Sequence, residues 1–204
     1  MTETHDSIRI EPTVELSDIE LPVALGDGIA AFYGVETVAT AADWLDALDA
    51  GLDTTDVTPM AVDDLCTTDD SPHVLETDDR TQAYQCVFDP MIVPFLTQEP
   101  ATVRSVCPVT GTEVVFEISD GEVQARPESA FFSLGMDAAT NATPPHTPEE
   151  TYGVFCPYGN VFASRDAYTQ WANETDAITT PLPLEYGVAV VGGLAQRLGA
   201  TAHN

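Results

Sequence analysis

The chain has 204 residues, with 34 Asp plus Glu against 6 Lys plus Arg, all six of them arginine, and a formal net charge of -28. A nucleic-acid backbone or an anionic membrane surface is held by Lys and Arg displacing counterions from phosphate, so this charge excludes both as partners. The apolar fraction is 44%, which belongs to a domain that buries a core and not to an acidic tail; acids without lysine are the composition expected of a halophilic cytoplasmic protein in multimolar salt, loosening as screening is withdrawn.

Residues 1 to about 17 are polar and mixed and predict a loose or edge segment. Helical periodicity follows over Leu21 to Phe32 and over Thr40 to Leu52, where Thr40 is placed as an N-cap and Trp44, Leu45 and Leu48 share a face. A third short helix is expected over Pro59 to Leu65, then a turn over Thr67 to Pro72 and a strand over His73 to Glu76. From Ala101 the period becomes alternating: strands are expected over Val103 to Val106, Glu113 to Ile118, Glu122 to Ala125 and Ala130 to Met136, with turns at Thr110-Gly111 and Ser119-Asp-Gly121. Asp137 to Glu150, with three prolines, reads as a long loop, and Gly153 to Ala163 as a strand or strand pair. Ser164 caps a helix containing Tyr168 and Trp171, and a last helix over Leu184 to Leu198 carries Gly192-Gly193 as a point of close packing. The fold class is α+β: a small N-terminal helical, acidic subdomain (1–72), then a mixed, mainly antiparallel β core with flanking helices (73–204).

Met1 to Ile10 has acids where an export signal carries basic residues, and no apolar run approaches the roughly 18 residues of a membrane span, so a cytoplasmic location is expected. The cysteines, Cys66, Cys86, Cys107 and Cys156, are widely spaced and lack the pairing of a disulfide framework, so reduced thiols are expected. Separated thiols suggest a soft-metal site, because thiolate selects soft ions over magnesium or calcium. Cys86-Val-Phe-Asp89 would place a nucleophile and a proton carrier on one face of a helix; equally, Cys86 could be core filler and Asp89-Pro90 a helix N-cap with proline at N1. Cys107-Pro-Val-Thr-Gly111 and Cys156-Pro-Tyr-Gly159 each lead into a tight turn, but the double Cys-x-x-Cys of a structural zinc ribbon is missing. His73 and His146 are candidate fourth ligands, although a lone histidine more often serves as a hydrogen-bonded residue. Serine-hydrolase, Walker and Rossmann patterns are all missing.

In order and spacing, His73-Val-Leu-Glu-Thr-Asp-Asp-Arg80, Ala83-Tyr-Gln-Cys86-Val-Phe-Asp89, Ile92-Val-Pro94, Val103-Arg-Ser-Val-Cys107-Pro-Val-Thr-Gly111, Val154-Phe-Cys156 and Val161-Phe-Ala-Ser164 resemble the organomercurial (alkylmercury) lyases. The resemblance covers about the C-terminal two-thirds of the chain. It implies an alkylmercury-lyase-like fold and protonolysis of a carbon–mercury bond to a hydrocarbon and Hg(II), as in mercury resistance and detoxification. Carried over by motif, Cys86 and Cys156 are the thiolates that bind substrate and product mercury, Asp89 passes the proton to the leaving carbon, and Cys107 is structural. Val87, Phe88 and Phe155 are candidates for an apolar wall that raises the Asp89 pKa. No resident cofactor is implied; an external thiol or a mercuric reductase is the expected Hg(II) acceptor. The sequence departs from the family pattern after Cys156, where Pro157 stands in place of a familiar second cysteine, and Cys66 has no clear counterpart. Two other readings stay open: a non-catalytic Hg or Cu thiol-binding or delivery protein on the same scaffold, indifferent to loss of the Asp89 carboxyl, and an interaction module whose thiols are inert.

Overall fold

Cross-strand registry sets the larger of two sheets. In the computed structural model, which describes residues 6–11, 13–51, 62, 65–140, 144 and 146–201, strands β1 (Ile8–Ile10), β2 (Thr67–Thr68), β3 (His73–Glu76), β4 (Thr81–Tyr84), β5 (Ala101–Val106), β6 (Glu113–Ser119) and β7 (Glu122–Arg126) form an antiparallel sheet in the order β1-β7-β6-β5-β3-β4-β2. Leu75, Val103, Phe116 and Ala125 sit opposite one another along it, all essentially fully buried, so one face is a continuous apolar row. The other face is wet and carries scarce cations between acids: Arg104 lies 2.9 Å from Glu76 and 3.2 Å from Glu113, Arg126 lies 2.7 Å from Glu117, and Arg9 meets Glu122. Such exposed pairs contribute at most about 1 kcal/mol each; their use here is to break up a field of like charge.

A smaller antiparallel sheet has β8 (Phe131–Met136) between β9 (Val161–Phe162) and β10 (Ile178–Pro183). Pro181 and Pro183 are tolerated because β10 is an edge strand, where a missing N–H breaks no ladder. The helices are α1 (Val23–Tyr33), α2 (Ala41–Gly51), α3 (Phe88–Thr97), α4 (Pro148–Phe155), α5 (Arg165–Ala172) and α6 (Leu184–Thr201). Helix α1 stops at Gly34, whose φ of 69° lets its N–H return to the Ala30 carbonyl. Thr40 Oγ1 accepts the Asp43 N–H at 3.2 Å while Asp43 Oδ2 accepts the Thr40 N–H at 2.9 Å, which starts α2 as the sequence indicates. Ser164 starts α5 by accepting the Ala167 N–H at 3.2 Å. Helices α1 and α2 share one core with α3, α6 and both sheets, through Leu25, Ile29, Leu45, Met91, Phe116, Phe132 and Val191.

Several expectations need correction. Most of the segment expected as a short helix, Pro59 to Leu65, lies outside the described residues. Thr67 and Thr68 pair with Tyr84 and Ala83, so part of the expected turn is an edge strand. Gly153 to Ala163 is not a strand pair: its start ends α4, Cys156–Tyr158 is a 3-10 turn, and only Val161–Phe162 is extended. Thr147 closes a capping box with Glu150, and Pro148 occupies the first helical turn, which outweighs the alternation downstream. Strands β4 and β10 were not anticipated. Of the glycine pair, Gly193 does pack closely, a Cβ there lying 2.6 Å from Leu16, while among the described residues no packing partner comes within 4 Å of a Cβ at Gly192.

Gly187 brings α6 onto β8. A Cβ there would lie 2.1 Å from the Phe132 ring, which is fully buried and stacked between Phe88 and Phe116 at 5.7 and 5.2 Å. Helix propensity favours alanine over glycine by about 1 kcal/mol, but overpacking a locked ring costs up to about 3 kcal/mol. Gly187→Ala is therefore expected to lose about 1–2 kcal/mol net in urea unfolding at fixed high KCl, against no loss if the ring can swing away.

Candidate active site

Strand pairing brings together two cysteines that sequence spacing does not relate. Cys66 immediately precedes β2, and its carbonyl accepts the Gln85 N–H at 2.9 Å, extending the β2–β4 ladder to the residue before Cys86. The Cys66 N–H donates to Asp89 Oδ2 at 3.0 Å. Cys86 itself lies in the bend between β4 and α3, outside the helix, and the N-cap of α3 is Val87. Asp89 is thus neither the N-cap nor on a helical face shared with Cys86; it stands in the first turn of α3 with its carboxyl buried.

The third stretch arrives from α4. Cys156 ends that helix, its N–H returning to the Tyr152 carbonyl, and opens the 3-10 turn. The Val87 N–H donates to the Gly159 carbonyl at 2.9 Å, fastening that turn to the Cys86 bend. Gly159 permits the approach: a Cβ there would stand 3.0 Å from the Cys86 Cβ and 3.2 Å from the Phe88 ring. Phe155 anchors the end of α4 by stacking on Tyr33 at 5.9 Å and meeting Phe32 edge-on at 5.6 Å. Of the expected apolar wall, Val87 and Phe88 are buried beside the site, whereas Phe155 serves this helix anchor.

The Sγ atoms of Cys66 and Cys156 are 3.8 Å apart, and these two sulfurs and an Asp89 carboxylate oxygen all lie within 4.8 Å of one another. Cys86 adjoins this trio, hydrogen-bonded to Cys156 and to Asp89. All four side chains are buried. The hydrogen bond to Cys156, burial and the Asp89 charge push the Cys86 thiol well above its ordinary range, and Cys156 is raised chiefly through its contact with Cys66, with burial adding. Burial pushes Asp89 up to about 6, against the Cys66 N–H and the Cys86 and Cys66 thiols, which favour the anion. The Cys86 and Cys156 thiols, both raised, thus stand beside a carboxyl able to carry a proton, an arrangement whose sulfurs suit a soft cation.

The remaining candidates lie elsewhere. Cys107 is buried in a satellite cluster with Phe162, Ala167 and Tyr168, its carbonyl accepting the Gly111 N–H at 2.9 Å in the β5–β6 turn. His73 Nδ1 is 2.5 Å from Ser105 Oγ, and burial lowers its pKa to about 4. His146 stacks on Phe32 at 3.8 Å and its Nε2 meets the Phe32 carbonyl at 2.6 Å, which positions the start of α4. Cys66 is the residue that sequence reasoning did not place. No motif marks it, and the only available signal was that Thr67-Thr68 can pair with Ala83-Tyr84.

A buried cluster of thiols around one carboxyl on an α+β scaffold offers donors suited to a soft metal beside a group that can carry a proton. A sequence model described as alkylmercury lyase matches residues 66–196, a span that includes all four cysteines and Asp89. The chain belongs to the alkylmercury lyase family. It is 30% identical over 115 residues to an alkylmercury lyase of Streptomyces lividans, covering 56% of this chain and 49% of that protein. It is 27% identical over 130 residues to one of Pseudomonas putida, covering 63% and 57%. A solved structure described as the mercury-bound form of MerB2 aligns with a TM-score of 0.49 and 16% identity, over 63% of this chain and 60% of that one. The chain thus spans about half the length of the curated relatives it matches.

Proposed function

We infer that this protein is an organomercurial lyase, which cleaves the carbon–mercury bond of a substrate R–Hg–X, where X is a halide or thiolate, to give R–H and Hg(II). The observation that supports the reading is that Cys86 and the buried Asp89, from one stretch of chain, meet Cys156 from another. The resting thiols are protonated, and a thiol that coordinates a soft cation loses its proton. Asp89, an anion above about pH 6, is placed to take that proton. The first thiol replaces X, and X leaves with one proton. The second sulfur adds electron density to mercury and weakens its bond to carbon. The proton held on Asp89 then goes to carbon as the Hg–C bond breaks, leaving Hg(II) between two thiolates. Two thiol protons are consumed, one in H–X and one in R–H, and no electrons are gained or lost.

A product clamped by two thiolates leaves only when another sulfur competes for it, so turnover requires an external thiol or a protein acceptor such as a mercuric reductase. In this proposal the protein works in a salt-rich cytoplasm as part of mercury detoxification. Among the described residues no helix is long and apolar enough to cross a membrane. The test is hydrocarbon release from methyl- or phenylmercury in multimolar KCl with excess thiol. Wild type should release methane or benzene over many turnovers, at most one equivalent when thiol is withheld, and Cys86→Ser and Cys156→Ser should release none beyond background. Stoichiometric mercury binding without hydrocarbon would favour the non-catalytic soft-metal reading, which the compact Cys66, Asp89 and Cys156 group also suits.

A further inference from the structure

We propose that Cys66 is a third sulfur ligand of the mercury site, receiving Hg(II) from Cys86 so that the ion passes to the Cys66–Cys156 pair on its way out. The proposal rests on the lyase reading for the place of Cys86 and for its account of where the ion comes from, but the pairing of Cys66 with Cys156 stands on geometry alone. Cys66 Sγ is 3.8 Å from Cys156 Sγ. Two thiolates around one tetrahedral zinc, with bonds of about 2.3 Å, stand about 3.8 Å apart, so this pair already has the bite of a single soft ion and needs little opening for a larger one. The pair is rigidly held. Cys66 is fixed on both sides of its own peptide units, by its N–H to Asp89 and its carbonyl to Gln85, and Cys156 is fixed by the end of α4.

The arrangement also has a direction. Cys86 lies between β4 and α3, whereas Cys66, also buried, leads into β2, an edge strand of its sheet, where Thr67 is exposed. In the transfer, a bond from mercury to Cys66 sulfur forms first, giving the three-sulfur complex in which Hg(II) rests, and the bond to Cys86 sulfur breaks only as the ion is handed on. The Cys66 thiol proton moves to the Cys86 sulfur by way of the Asp89 carboxylate, which touches both thiols. The charge on mercury is unchanged, and Cys86 is restored as a thiol for the next substrate. The chain thereby has a neighbouring sulfur for Cys156 although Pro157 follows it in sequence.

The experiment is mercury-edge X-ray absorption on full-length protein loaded with one equivalent of Hg(II), for wild type, Cys66→Ser, Cys66→Ala, Cys86→Ser and Cys107→Ser, with stopped-flow transfer of the bound ion to a small dithiol. Wild type and Cys107→Ser are expected to show three sulfurs, and both Cys66 variants two. Cys86→Ser is expected to keep two, from Cys66 and Cys156, where a site of Cys86 and Cys156 alone would be left with one. Handover from the Cys66 variants should slow at least about fivefold, a change of about 1 kcal/mol in the barrier. Two sulfurs in wild type, or one in Cys86→Ser, overturns the proposal. Wild type that binds Hg(II) through three sulfurs yet releases no hydrocarbon from phenylmercury sinks the lyase reading and leaves the ligand assignment standing. Because the wild-type sulfur count is itself decisive, a variant that fails to fold does not rescue the idea.

Discussion

Asp89→Asn is expected to release benzene from phenylmercury about 10²–10⁴-fold more slowly than wild type, the range for losing a positioned general acid or base, while binding mercury as before and folding more stably. The loss follows from position. Among the described residues the Asp89 carboxyl is the carboxylate that touches the thiols, and the same group must hold the proton meant for carbon. The gain in stability follows from burial. A carboxyl pushed up to about 6 in the fold, from about 3.9 in an unfolded chain, binds its proton more tightly when folded, so the anion present at pH 7 opposes folding by about 3 kcal/mol. Asparagine keeps an oxygen to accept the Cys66 N–H and carries no charge to desolvate. Opposed movement of rate and stability is what a site that stores strain for chemistry should show. Undiminished benzene release from Asp89→Asn would remove Asp89 from the reaction, and a drop in stability at pH 7 would mean that the carboxylate holds the site together.

The elements that were legible in the sequence are those whose own residues settle the matter. Thr40 and Ser164 cap the helices they precede, and the alternation in β5, β6 and β7 matches the buried row from Val103 through Phe116 to Ala125. Where local signals conflicted, the reading failed. Gly153 to Ala163 looks extended, yet the box between Thr147 and Glu150 had already committed the start of it to helix. Pro90 reads as a first helical position, but Pro94 hides how far α3 runs, and Pro181 and Pro183 disguise β10, because an interior proline argues against each element until its position in the fold is known. The site divides along the same line. Cys86 and Asp89 are near in sequence and Cys156 has a turn motif, so all three could be singled out. Cys66 joins them through a two-residue edge strand and one further ladder hydrogen bond, a relation no spacing encodes. Its link to Asp89 is a backbone donor, which every residue but proline possesses, so the residue type carried no hint of it.

Acid stability should expose a second buried titratable group, His73, whose effect the wild-type protein conceals. Burial lowers its pKa to about 4, against about 6.5 in an unfolded chain. Between those values the unfolded state binds more protons, so stability from this group is full above about pH 6.5 and is lost, by about 3 kcal/mol, as pH falls towards 4. Asp89 has the opposite slope: its raised pKa makes the folded state bind more protons between about 4 and 6, so its contribution falls as pH rises through the same window. The two nearly cancel. Urea unfolding at fixed high KCl should show wild type and Asp89→Asn alike near pH 4 and separated by about 3 kcal/mol above pH 6, the His73 slope being no longer offset in the variant. His73→Gln should give the mirror result, its deficit relative to wild type growing by about 3 kcal/mol from pH 4 to 6.5 once any constant packing loss beside Ser105 is set aside. Each comparison holds the many surface acids constant, so only the substituted group contributes to a change of difference with pH. A difference that stays flat with pH would mean that the group titrates alike in both states, and for Asp89 that would leave no store of proton affinity in the fold for the carbon–mercury bond to use.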